Sequence, residues 1–212
     1  LTGKTVQRYD EFAIPEKEEP VKERIQQNFQ ESIATKQSFL ASHLDKIIEV
    51  TDKMVSVLER GGKVLFFGNG GSACDASHLA GELVNRFYLD RKGLAGLSLT
   101  TDMSVITSIS NDYHYHEIFA RQIESLGKEG DMAIAISTSG NSANVIRGVE
   151  MAKSMGLITV GFTGGNGGKL APIADVAFIV PSKVTPRIQE THITLGHVIC
   201  ELVEERLCKP KT

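Results

Sequence analysis

The chain has 212 residues, with 23 Lys plus Arg against 26 Asp plus Glu, a formal charge of −3, and 41% hydrophobic residues. That balance excludes a disordered chain and lacks the clustered basic excess of nucleic-acid or anionic-membrane binders, while the length predicts one domain whose core needs no disulfide staples. Cys74, Cys200 and Cys208 stand at unrelated spacings, no apolar run reaches the roughly 18 residues of a bilayer span, and residues 1–20 lack the apolar stretch of a secretory signal, so the expectation is a cytoplasmic protein with free thiols.

Residues 1–20 are polar, carry acids from Glu16 to Glu19 (Lys17 among them), and end at Pro20, which reads as a flexible arm preceding a single domain over 21–212. From Val21 to Arg60 apolar residues recur at helical spacing: Ile25, Phe29 and Ile33, then Phe39, Leu40, Leu44, Ile47, Ile48, Val55 and Leu58. The pattern predicts two helices, the second capped by Ser42 and ended by Gly61-Gly62, each with an apolar side suited to a core or a subunit contact. The rhythm then changes to short apolar runs at 63–67, 95–99, 132–137, 158–162 and 176–180. Helical stretches are predicted between them: from the glycines after Phe67 to about Phe87, then over 103–109, 116–125, 142–155 and 169–173. A last helix covers 186–207, with Pro186 in its first turn. Buried strands alternating with helices predict an α/β fold, a doubly wound parallel sheet flanked by helices, with an N-terminal helical extension.

In such sheets ligands gather at the carboxyl ends of the strands. Two strand ends carry unusual loops, Gly68-Asn-Gly-Gly-Ser-Ala-Cys-Asp-Ala76 and Ser137-Thr-Ser-Gly-Asn-Ser142. Glycines let backbone N–H groups approach a ligand, hydroxyls add donors, and a following helix start favours an anion. Together they suit a phosphate ester. Gly68, Gly70 and Ala73 also satisfy G-x-G-x-x-A, the dinucleotide fingerprint. That fingerprint wants an acid at the end of the second strand, whereas Asp90 precedes that strand and Asp102 lies further along. No nicotinamide cofactor is therefore expected, and no Walker-type lysine is present.

His78 and Glu82, about 40° apart on a helix, share a face that Arg86 continues. A His and a carboxylate beside a phosphate cradle suit proton transfer or metal ligation; the plain alternative is an incidental pair on a solvated face. On the last helix, Gln189 and His197 stand about 80° apart and can reach one site, whereas His192 and His197 are about 140° apart. Spacing does not choose between those two histidines. His114 and His116 read as a surface loop, His43 as structural, and Cys74 as a small packing residue.

Taken in order, Gly68–Ala76, His78 with Glu82, Asn111-Asp112, Ser137–Ser142 and Arg187-Ile-Gln-Glu190 with His197 resemble the phosphoheptose isomerases of the sugar isomerase (SIS) domain family. The resemblance spans about Val21 to Glu205. It implies an aldose–ketose isomerase acting on sedoheptulose 7-phosphate to give D-glycero-D-manno-heptose 7-phosphate, the first step towards heptose for lipopolysaccharide. It implies substrate contacts at Asn69, Gly70, Gly71, His78, Glu82, Asn111, Asp112, Ser137, Thr138, Ser139, Ser142 and Gln189. It makes Glu82 and His197 the proton-transfer pair, choosing His197 over His192, and ties Arg86 to activity. It implies one zinc per subunit on His78, Glu82, Gln189 and His197, and a homotetramer with active sites at subunit junctions. Pro186 stands where the family often has Asp, so that Asp's contribution is missing here. Two rival readings share the fold: a non-catalytic SIS protein that binds the replication initiator, and an isomerase of another sugar phosphate. The first should lack the acid–base pair, which is present.

Overall fold

The computed structural model describes residues 20–208; the arm over 1–20 lies outside them apart from Pro20. A 39-residue helix opens the fold, α1 (Val21–Glu59). It is one helix, not the expected two. No Gly or Pro interrupts residues 21–59, and the Ser42 hydroxyl donates back to the Phe39 carbonyl instead of capping a new start. Gly61, at φ +78°, closes it, and the Gly62 N–H bonds to the Val57 carbonyl.

Five parallel strands follow: β1 (Val64–Gly68), β2 (Gly96–Ser98), β3 (Met132–Ile136), β4 (Ile158–Gly164) and β5 (Val176–Val180), in the order β2-β1-β3-β4-β5. They alternate with α2 (Gly71–Val84), α3 (Met103–Asp112), a 3-10 turn (Tyr115–Glu117) running into α4 (Ile118–Leu126), and α5 (Ala143–Ser154). The last element among the described residues is α6 (Thr185–Cys208). Period-two alternation along each strand splits the core. Val64, Phe66, Ile134 and Phe162 face α1, α2 and α6, whereas Leu65, Phe67, Ala133 and Ala135 face α4 and α5. Both faces are covered, as a doubly wound sheet requires.

Residues 169–173 form turns, not the expected helix. Gly165, Gly167 and Gly168 all take positive φ just before them, and Pro172 removes an amide donor. Those glycines instead let the 165–168 segment lie backbone against backbone on the Ser137–Ser142 loop. A Cβ at Gly140 would meet the Gly167 carbonyl at 2.2 Å, and one at Gly168 would meet the Ser139 carbonyl at 2.5 Å. Among the described residues, no helix is long and apolar enough to cross a membrane.

Candidate active site

The strand order reverses between β1 and β3, and that switch point opens a crevice at the carboxyl ends of the strands. Gly68 pairs with Ile136 there, so the two unusual loops emerge side by side. Each leads into a helix without a side-chain cap: α2 starts after Gly70, and α5 after Ser142. By contrast α3 is capped by Asp102, whose carboxylate accepts from the Val105 N–H. That bond commits the acid following β2 to a structural task. The Ser72 and Ala73 N–H groups bond back to the Asn69 and Gly70 carbonyls, and the Val145 N–H to Asn144 Oδ1, so what the two starts bring to the crevice is chiefly the positive ends of two helix dipoles.

Within the loops, Gly70 takes φ +57°, and a Cβ on Gly71 would meet Gln189 Nε2 at 2.5 Å. Gln189 of α6 thus lies against the first residue of α2. Ser137 is buried and its hydroxyl lies 3.1 Å from that of Ser142. Thr138 and Ser139 line a cleft of about 470 Å³ together with Asn166 and Lys183. Lys183 brings a positive charge that the residue patterns did not single out. Its only signal in the sequence is its place three residues before Pro186.

Asn69 is held by neighbours that sequence reasoning also missed. It exchanges two amide hydrogen bonds of 2.8 Å with Asn144, and the Tyr115 hydroxyl donates to its Oδ1 at 3.1 Å. Asn144 is the first-turn residue that completes Ser-Gly-Asn-Ser-Ala-Asn, which is the signal that was available. Asn111 and Asp112 end α3, exposed and hydrogen-bonded to each other. Tyr115, three residues after Asp112, is the part of this segment that reaches the crevice, through Asn69.

Two turns along α2 the side chains take over. His78 Nε2 lies 2.9 Å from Glu82 Oε1 and 3.0 Å from His197 Nε2. One donor atom from each of the three residues falls within 4.8 Å of the others. A single ring nitrogen carries at most one hydrogen, so His78 Nε2 faces both Glu82 Oε1 and His197 Nε2 with one proton to share. The two α6 histidines differ in packing. His192 is fully buried, its Nε2 bonds the Thr163 carbonyl, and burial pushes it down to about 4. His197 is the one that faces His78.

Other candidates fall elsewhere. α2 ends at Val84, so Arg86 lies beyond the helix and does not extend the His78–Glu82 row by another helical turn. Cys74 is exposed, not packed, because the first turn of α2 turns it outwards. His114 and His116 stack on each other in an exposed loop, and His43 is packed on Phe39 with its Nε2 accepting from Ile179 N–H. Glu190 is paired with Arg187; burial opposes its ionisation, but the hydrogen bonds from Arg187 and Ser32 outweigh it and lower its pKa. Asp75, one turn before His78, has a buried Oδ2 without a hydrogen-bond partner, and burial raises its pKa against the pull of His78. A larger cleft, about 670 Å³ between α3, α4 and the β2 edge, lies away from the His78–Glu82–His197 group. Here the donor atoms, not the volume, mark the chemistry.

Known proteins resemble this chain over most of its length. The SIS domain family profile matches residues 27–164. A phosphoheptose isomerase of Thermodesulfovibrio yellowstonii is 52% identical over 187 residues, covering 88% of this chain and 93% of that protein. The solved phosphoheptose isomerase of Neisseria gonorrhoeae superposes with a TM-score of 0.83 at 40% identity, over 87% of this chain and 99% of its own. That of Francisella tularensis gives 0.85 at 35% identity, over 88% and 100%.

Proposed function

Because the chain belongs to the SIS domain family, beside the phosphoheptose isomerases, we propose that it interconverts sedoheptulose 7-phosphate and D-glycero-D-manno-heptose 7-phosphate. The observation that carries this reading is the convergence of Glu82, His78 and His197 about two turns along α2 from the glycine loop that opens that helix. The phosphate is assigned to the Ser137–Ser142 loop, with the Ser137, Thr138, Ser139 and Ser142 hydroxyls and the α5 amides as donors. Asn69, Gly70, Gly71, Asn111, Asp112 and Gln189 are assigned to the sugar chain.

Aldose–ketose exchange moves one proton between C1 and C2 through an ene-diol and another between the two oxygens. Glu82 suits the carbon proton, since one carboxylate takes and returns it on a single face; Oε1 is engaged by His78, which leaves Oε2 for that task. His197 suits the oxygen proton. His78, hydrogen-bonded between them, keeps the two groups in register as one proton arrives and the other leaves.

Two imidazole nitrogens and a carboxylate oxygen within 4.8 Å of one another form a donor set that fits zinc, with Gln189 proposed as the fourth ligand. When bound, zinc supplies Lewis-acid polarisation of the sugar carbonyl. An imidazole nitrogen of His197 spent on the metal cannot also carry the oxygen proton, so the proton transfers assigned to Glu82 and His197 are those of the metal-free group.

The second half of the proposal concerns assembly. Ile25, Phe29, Ile33, Leu40, Leu44 and Ile48 form an exposed row along α1, separate from its buried row at Phe39, His43, Ile47, Val50 and Met54. An apolar row of that length supports the homotetramer reading, with active sites at the subunit junctions. Free thiols support a reducing, cytoplasmic setting, with the product feeding heptose for lipopolysaccharide. The test is direct: incubate the protein with sedoheptulose 7-phosphate, without nicotinamide, and follow the aldose by NMR. Appearance of the aldose is expected. Its absence in a fully assembled preparation overturns the reading.

A further inference from the structure

Behind the His78–Glu82–His197 group, a buried ion pair joins the two helices that carry it. Arg91 Nε donates to Glu204 Oε1 at 2.8 Å, and the two side chains are 5% and 2% exposed. Arg91 also reaches the end of α2: Nη2 donates to the carbonyl of Glu82 and Nη1 to that of Leu83, each at 2.9 Å. No basic residue lies in the last turn of α2, so this guanidinium supplies from outside the charge that free C-terminal carbonyls attract.

Glu204 lies seven residues after His197, two turns along the same face of α6. Its Oε1 also accepts from Phe87 N–H at 2.8 Å. Its Oε2 accepts from Tyr88 N–H at 2.6 Å and Leu89 N–H at 2.9 Å. These bonds fix the segment that places the Phe87 ring 5.8 Å from the His197 ring. A desolvated ion pair adds little net stability by itself compared with apolar packing of the same volume. What this pair does instead is geometric: one end grips the backbone of Glu82, and the other belongs to the helix of His197 and to the loop that backs its ring.

We propose that Arg91 and Glu204 are positioning residues that set the placement of Glu82 relative to His197. The inference rests on the reading of that pair as the proton-transfer groups. Losing either residue should misplace the pair and leave the phosphate loop on the far side of the crevice untouched. The signature is a fall in kcat with KM unchanged.

The experiment uses Glu204→Gln, which keeps the size, and the milder Arg91→Lys, which keeps the charge but loses the planar fork. Val149→Ala, on the other face of the sheet, serves as a control for lost stability. With folding of each variant verified by circular dichroism, both test variants should lose ~10- to 100-fold in kcat, the scale of a misplacement near 1 Å. KM should stay within about twofold, and the control should keep wild-type kcat. Crystal structures of the variants should show the His78–His197 contact lengthened or the His197 ring rotated. Wild-type kcat in folded Arg91→Lys and Glu204→Gln overturns the proposal, as does an equal fall in the control. If the wild-type protein itself fails to turn over the heptulose phosphate, the functional reading has failed. The crystal structures then still decide: an unchanged His78–His197–Glu82 arrangement in Glu204→Gln overturns the positioning role.

Discussion

The two ends of α2 work by opposite means. At its start the chain offers backbone: Gly70 and Gly71 carry no side chain, no side chain caps the helix, and even a Cβ at Gly71 would collide with Gln189. Towards its end it offers side chains, His78 and Glu82, whose bonds to each other and to His197 define the group. One helix therefore joins a glycine-built terminus to the His78–Glu82 face about two turns away. In the proposed reaction the first end governs binding and the second governs the chemical step, so substitutions at the two ends should separate KM from kcat.

Glu82→Gln tests that separation most severely. It keeps the shape and removes the base, and kcat should fall ~10²- to 10⁴-fold with KM little changed, measured by aldose formation. Near-normal kcat would remove Glu82 from the mechanism. At the same end, His78→Ala should lower copurified zinc from up to one ion per subunit towards none, as read by elemental analysis. Zinc retained at full occupancy would break the assigned ligand set.

The Ser137–Ser142 loop, to which the phosphate is assigned, should respond more modestly than the His78–Glu82 face. Ser139→Ala is expected to weaken phosphosugar binding by about 1.5–3 kcal/mol, roughly ten- to a hundredfold, with kcat preserved. Calorimetry with phosphorylated and unphosphorylated heptulose reads this directly, and equal binding of the two sugars would exclude the cradle. Lys183→Ala should cost less, up to about fivefold in KM, because its charge is exposed. That penalty should shrink further in about 1 M salt, where charges are screened within about 3 Å.

What was legible in the chain follows the same division. The glycine loop, the Ser/Thr loop and the i, i+4 pair His78–Glu82 are local patterns, and the parallel sheet was readable from short apolar runs. Arg91, Glu204 and Tyr115 act, in the bonds described, on partners between 8 and 117 residues away, and nothing in their neighbourhoods announces those partners; Asn144 was marked only by the Ser-Gly-Asn-Ser-Ala-Asn run. Ser42 misled because a hydroxyl before an apolar run looks like a cap, yet without a breaker the helix simply continues through it. The turns at 169–173 were hidden by the same locality. The glycines before them serve a contact with the Ser137–Ser142 loop, not the helix that their flanks suggested.

The smallest effect on turnover near neutral pH should come from protons acting on buried groups behind the site. His192 is held neutral with a folded pKa of about 4, below the ~6.5 of an unfolded histidine, because burial disfavours its charge. The unfolded chain therefore binds more protons in that interval, and the contribution present above about 6.5 is lost as pH falls towards 4. Glu204 is held down at about 2 against an unfolded value near 4.3. Burial opposes this, but the backbone N–H groups of Phe87, Tyr88 and Leu89, with Arg91, outweigh it. Its contribution is complete above about 4.3 and disappears between there and 2. Urea unfolding across pH should thus show two successive losses. His192→Gln should flatten the upper one, and Glu204→Gln the lower. If Glu204→Gln instead changed the slope above pH 5, the carboxylate would not be the ionised anchor that joins the Phe87 loop to α6, and the contrast between a backbone-built and a side-chain-built end of α2 would lose its structural support.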